Sequence, residues 1–214
     1  LGRLVGKHYL TDLDRKRVLA CLANLRMICD STYLFDKTTN VSPKLDEFEE
    51  LVPDLATDHK FVAFSQWETM VTQAAAVLER HGVGYVVLHG GLSGKERKQV
   101  LERFKTDVKC RAFLSTDAGG VGLNLQAADT VVNFELPWNP AVLEQRIARV
   151  HRMGQSRPVR VVNFVARGTV EERVLQLLET KRALFASVFD GDEDEIGIGA
   201  ASAGFMEAVR EVLG

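Results

Sequence analysis

The sequence predicts an α/β domain: a central, mostly parallel sheet covered on both faces by helices. Two observations carry this. From Lys60 onward, short aliphatic runs (Phe61–Phe64, Tyr85–Leu88, Cys110–Leu114, Thr130–Phe134, Val159–Val165) alternate with helical patterns over Trp67–His81, Ser93–Phe104, Asn139–Met153 and Thr169–Val188. Runs that hardly alternate between apolar and polar residues suit strands buried on both faces, with the intervening helices as crossovers. In addition, Ser65, His89-Gly90-Gly91 and Ser115-Thr116 fall just beyond three of these runs. Open α/β sheets gather ligands at such carboxyl ends.

Taken in order, residues 1–42 read as a helical lead-in. Asp12 or Asp14 is the expected cap of a helix whose apolar positions include Val18, Leu22, Leu25, Ile28 and Cys29. Ser42-Pro43-Lys44-Leu45 opens the next helix, and the main domain is expected over 43–189. Ser93 is placed to cap the helix bearing Lys95 and Arg97. Asn139 and Pro140 suit the start of another helix, and Gly154 its end. There Leu143, Ile147 and Val150 form an apolar stripe, with Gln145, Arg149 and Arg152 about half a turn away and Arg146 off that face. No Asp or Glu lies four residues from Arg149 or Arg152. Read alone, this is a surface helix with solvated arginines, or one that offers two guanidiniums to a polyanion. Thr169 and Glu172 form a capping box for the final helix. Residues 190–214 are acidic, then glycine-rich, and read as a linker followed by a short helix through Phe205, Val209 and Leu213.

Composition narrows the class. With 46% hydrophobic and 26% charged residues over 214 positions, the chain fits a soluble globular protein of one generous domain, or of one domain with appendages. No apolar run reaches transmembrane length, so no membrane partner is expected. Leu1-Gly2-Arg3 does not open a signal peptide, and a first residue other than Met reads as a fragment boundary. The 3 cysteines have no C-x-x-C spacing, which argues against a disulfide framework or zinc site. A net charge of −2 does not mark a nucleic-acid binder as a whole, yet Lys and Arg outnumber Asp and Glu between Tyr85 and Arg160.

Gly119, Gly120 and Gly122 in Ser115–Gln126 allow close backbone approach to an anion, or simply a tight turn after a strand. The third Gly of a dinucleotide fingerprint would fall at Leu125, so that motif is excluded. Gly-Gly-Leu-Ser-Gly-Lys at 90–95 is no phosphate loop either, since Glu96 stands where Ser or Thr must bind Mg²⁺.

Several stretches together carry a family resemblance. Gln145-x-x-x-Arg149-x-x-Arg152, set in QRIARVHRMGQ, resembles motif VI of superfamily 2 helicases, and its His-Arg-x-Gly-Gln ending resembles the SWI/SNF-type DNA translocases. STDAGGVGLNLQ resembles their motif V, KFVAFSQW their motif IV, and LHGGLSGKER the motif between them. LRMICDSTYLF, the Trp-Asn-Pro at 138–140 and Gly-Thr-Val-Glu-Glu-Arg at 168–173 match the same family pattern. The resemblance covers about residues 18 to 188 and implies a RecA-like three-layer fold, the second lobe of a two-lobe motor. It departs from the pattern at Asp117, where the family commonly has Arg or Lys.

The resemblance implies roles as well. Arg149, Arg152 and Gln145 would serve catalysis on ATP, and Gly120, Gly122 and Asn124 would lie against the nucleotide. Ser65, Gln66, His89, Gly90, Ser115 and Thr116 would meet the phosphates of double-stranded DNA. From the residues alone, Ser65-Gln66 also fits a strand leading into a helix cap, and Trp138 is expected as a packed aromatic. ATP and Mg²⁺ would be bound mainly by the N-terminal ATPase lobe, whose phosphate loop and Mg²⁺ carboxylates this chain lacks. The expected setting is a nucleoprotein complex, nucleoid-associated in a prokaryote or nuclear in a eukaryote. Two rivals are a non-catalytic interaction module on the same scaffold and the second lobe of an RNA helicase. The intact arginines and glycine loop weigh against the first, and the missing Arg-Gly-x-Asp against the second.

Overall fold

The computed structural model describes residues 11–117 and 122–189, the side chains of 182–189 excepted. The elements run α1 (Asp12–Asp30), α2 (Thr32–Asp36), α3 (Pro43–Thr57), β1 (Phe61–Ser65), α4 (Glu68–Arg80), β2 (Gly84–Leu88), α5 (Gly94–Thr106), β3 (Cys110–Thr116), β4 (Thr130–Asn133), α6 (Pro140–Ile147), β5 (Arg160–Asn163) and α7 (Val170–Phe189). All five strands pair in parallel in the order β2-β3-β1-β4-β5. The predicted strands are all present, the last shorter than its aliphatic run.

Alternate residues of β1 show why the sheet has two covered faces. Phe61 and Ala63 point into a core built with Phe48, Val52 and Leu55 of α3 and Met70, Ala74 and Leu78 of α4. Val62 and Phe64 point the other way, toward Phe104 of α5 and toward Leu123, Leu125 and Ala128 of the segment after β3. Phe48 is fully buried, with its ring edge-on to Phe134 at 5.1 Å and Phe61 at 6.1 Å. Aromatic pairs prefer this T-shaped arrangement, because ring edges and faces carry opposite partial charge.

Two helix readings need correction. Thr11, not Asp12 or Asp14, caps α1, and Asp14 completes its capping box. The buried stripe of α1 runs Val18, Leu22, Arg26, Asp30, while Leu25 and Ile28 are exposed. Its last two members are charged, which an apolar search passes over. α6 stops at Ile147, and residues 148–154 form turns rather than two further helical turns. Beyond the helix end, the Arg149 carbonyl accepts the Leu125 N–H at 2.9 Å rather than a donor one helical turn on. The predicted stripe is consequently divided, with Leu143 and Ile147 packing against α7 and Val150 against the sheet's other core. Gly154 still ends the segment, with φ +96°.

The lead-in helix packs on this body. Val18 and Leu22 meet Trp138 and Val170, and the Arg26 guanidinium lies over the Trp138 ring at 5.6 Å. Trp138 is half-buried, as its packed role required. The acidic tail and the helix expected through Phe205 lie outside the described residues.

Candidate functional site

The site is built from the carboxyl ends of β2, β3 and β1 and from the turn after α6. Leu88 pairs with Ser115, and Ser65 with Thr116, so the segments following these three strands lie side by side. His89 and Gly90 leave β2 at one end of this row, with His89 half-buried and Gly90 exposed. His89 Nδ1 accepts the Gly91 N–H at 3.2 Å. Gln66, half-buried after β1, donates its own N–H to the Glu135 carboxylate.

The three hydroxyls of the row are less open than expected. Ser65 and Ser115 are fully buried. Ser65 Oγ accepts the Trp67 N–H at 3.0 Å, and Ser115 Oγ donates to the Thr116 carbonyl at 2.9 Å. Thr116 is also buried. The Ser65 and Ser115 hydroxyls cap their own strand ends in this conformation, so the phosphate contacts expected of these two are not presented. Exposed backbone at Gly90 is.

The second half of the site surrounds Arg152. An open hollow of about 480 Å³ is lined by Asn124, Gln126, Ala148, His151, Arg152 and Met153. Arg152 and Asn124, 28 residues apart in sequence, are thus brought together. Three contacts lace the segment after β3 to the arginine turn. Leu125 N–H reaches the Arg149 carbonyl, the Gln126 carboxamide donates to the Met153 carbonyl at 2.6 Å, and Gln155 Nε2 donates to the Ala128 carbonyl at 2.8 Å. Arg149 is half-buried, Arg152 and Gln145 are exposed, and neither arginine makes an ion pair with a described residue. Gly122 adopts φ +76°, the left-handed region that glycine enters without strain. Gly120 lies outside the described residues.

Arg146, placed by the sequence off the face of Arg149 and Arg152, is buried. It is 4% exposed and grips Asp117 with both arms of its fork, Nε to Oδ1 at 2.7 Å and Nη2 to Oδ2 at 2.8 Å. Nη1 donates to Asn133 Oδ1 and to the Glu135 carbonyl, each at 3.0 Å. Asp117, where the family pattern has a cation, is therefore the counter-ion of a buried guanidinium.

Beneath this lies a second charge cluster that the sequence did not reveal. Lys44 Nζ donates to Asp30 Oδ1 at 2.6 Å, Glu171 Oε1 at 2.7 Å and the Phe134 carbonyl at 2.6 Å, tying α1, α3, β4 and α7 together. Burial works against the Lys44 charge, but Asp30 and Glu171 outweigh it and raise its pKa. Burial and the Glu135 carboxylate push Asp30 up to about 8. Burial likewise raises Glu135, against the opposing pull of Arg146.

Residues 43–154 match the helicase conserved C-terminal domain. The chain belongs to that family. This helicase C-terminal domain is 35% identical over 156 residues to the uncharacterized ATP-dependent helicase YqhH of Bacillus subtilis, which covers 73% of this chain and 28% of that protein. It is 35% identical over 184 residues to the DNA repair protein RAD5B of Arabidopsis thaliana, covering 86% of this chain and 14% of that protein. The domain thus spans a small part of the curated relatives it matches. Among solved structures, the Sulfolobus solfataricus SWI2/SNF2 ATPase C-terminal domain superposes with a TM-score of 0.70 at 25% identity, covering 95% of this chain and 84% of that one. The SWI2/SNF2 ATPase core of the same organism in complex with dsDNA gives 0.70 at 30% identity, covering 95% and 43%. The helicase C-terminal domain is thus of the SWI2/SNF2 type, with the RecA-like fold its motifs implied.

Proposed function

We propose that the chain is the second lobe of an ATP-driven double-stranded-DNA translocase, completed by an N-terminal ATPase lobe of the same protein. Arg149 and Arg152 would reach the triphosphate of ATP held chiefly by that first lobe, with Gln145, Gly122 and Asn124 nearby. The observation that carries this is the contrast within one turn of chain. Arg146 is buried and fully paired, whereas Arg149 and Arg152 have no ion-pair partner among the described residues and Arg152 lines the hollow with Asn124. A buried structural arginine and two unpaired ones suit different work, and unpaired guanidiniums suit anionic oxygens.

In this reading the guanidiniums stabilise charge that develops on the transferring phosphoryl group, by position rather than covalent chemistry. The strand-end row around His89, Gly90 and Gln66 lies against the DNA backbone, which sets register without reading sequence. Among the described residues no group of His, Cys, Asp or Glu is arranged to hold a metal ion, and no role is assigned to Mg²⁺ on this lobe. Cycles of cleft closure move the lobe along duplex DNA, with a nucleoprotein complex as the setting.

The test uses the two-lobe protein. Arg152→Ala should lower ATP turnover by about 10³-fold or more, the scale of an arginine finger. Arg152→Lys should restore little, because a point charge on a flexible stem does not reproduce the planar fork. Arg149→Ala should behave similarly, while duplex binding without nucleotide stays unchanged. Mild and equal losses for both alanine variants would sink the assignment.

A further inference from the structure

Arg146 deserves a function of its own, given what it joins. Its guanidinium contacts Asp117 just beyond β3, Asn133 at the end of β4 and the Glu135 carbonyl, and it lies over the Phe64 ring of β1 at 5.5 Å. Three adjacent strand ends therefore converge on one cation. Its own backbone is the root of the arginine turn, since the Arg146 carbonyl accepts the Arg149 N–H at 3.2 Å. The Arg149 carbonyl in turn accepts the Leu125 N–H at 2.9 Å. Asp117 and Leu125, which flank residues 118–124, are thus each tied to the same short stretch 146–149, one through a side chain and one through the backbone.

We propose that Arg146 is a positioning residue: with Asp117 it clamps the chain leaving β3 to the turn that presents Arg149 and Arg152. Resting on the proposed function, the clamp makes the DNA-facing strand ends and the ATP-facing arginines move as one piece. The physical basis is the pairing geometry. A two-point, charge-assisted fork fixes orientation as well as distance, which a single ammonium contact does not. The paired oxygens belong to the residue that departs from the family pattern, so the departure and the buried arginine form one unit.

The test begins with the 214-residue chain and two variants, Asp117→Asn and Arg146→Lys. Asp117 is 38% exposed, so its neutral isostere is tolerated where a change at the buried arginine is less certain to be. Hydrogen exchange at the Leu125 amide should speed up by about tenfold or more in either variant, as local opening does, while sheet amides such as Val62 and Phe113 are unchanged. The exposed Arg80–Glu49 pair supplies a control, Arg80→Ala, that should leave Leu125 unaffected. In the two-lobe protein, DNA-stimulated kcat should fall by about tenfold to a hundredfold with little change in KM for ATP, the scale of a misplaced catalytic group. The double variant should lose no more than the worse single one, because both remove the same contact.

Leu125 exchange at the unmodified rate in both variants overturns the clamp. Faster exchange with unchanged kcat overturns the positioning role and leaves the lobe assignment standing. A two-lobe protein with no DNA-stimulated turnover before any substitution refutes the proposed function instead, and the exchange result then decides the clamp alone.

Discussion

Replacing Asp30 with Asn should stabilise the lobe, and by more as the pH rises. Asp30 is fully buried at the end of α1; Oδ1 holds Lys44, and Oδ2 has no hydrogen-bond partner. Burial and the neighbouring Glu135 carboxylate push its pKa from 3.8 up to about 8. In the unfolded chain the same group gives up its proton near pH 4. Between those two values the folded state holds a proton that the unfolded state has released. Folding stability is therefore fully present at the acid end and is lost as the pH rises from about 4 to about 8.

One such proton is worth about 1.4 kcal/mol per pH unit, so this group alone should cost about 3 kcal/mol between pH 5 and pH 7. Asn cannot ionise, keeps an oxygen for Lys44, and puts a donor where Oδ2 had no partner. Urea denaturation of Asp30→Asn and the parent chain at pH 5, 6 and 7 reads the effect directly. The gap between them should widen by about 3 kcal/mol over that range, with the urea slope unchanged. A gap constant with pH would refute the argument. A constant gap in favour of the parent chain would mean that Asp30 is ionised in both states and that its value lies in holding Lys44.

Phe48→Ala should cost about 3–5 kcal/mol in the same assay, because it empties a fully buried site between the sheet and α3; a loss below about 1 kcal/mol would mean that the core collapses around the gap. The chain alone should bind duplex DNA without sequence preference at about 10⁻⁴–10⁻⁶ M and weaken steeply with salt, as fluorescence anisotropy on two unrelated duplexes would measure. Discrimination between the duplexes, or indifference to salt, would contradict a backbone-only contact.

The sheet was legible because its strands are buried on both faces and so write themselves as unbroken aliphatic runs between turn residues. The Ser93 cap was legible from its place before a helical pattern, whereas at α1 the Thr11 cap, which Asp14 answers, was missed. The end of α6 was not. Gly154 looks like its stop, but the helix ends at Ile147, and two residues on the Arg149 carbonyl takes a partner in another segment. Arg146 and Lys44 defeated the reading in a related way. A charged residue is read as solvated unless its partner is visible, and theirs lie 29 residues away at Asp117 and as far as 127 away at Glu171. The strand-end hydroxyls misled for the opposite reason, since motif matching puts Ser65 and Ser115 at strand ends but is silent on where an Oγ points.

The strand order has a consequence for how the chain is made. β1 is the central strand, yet both of its partners, β3 and β4, come later, with Phe61 pairing to Ala112 and Thr130. During synthesis β1 leaves the ribosome with both edges bare, since no strand precedes it among the described residues. Such non-local pairing is slow to form and leaves apolar edges open meanwhile. The vulnerable interval closes only when β4 has emerged. Until then, Phe61–Ser65 is the segment of this lobe that a chaperone would be expected to shield.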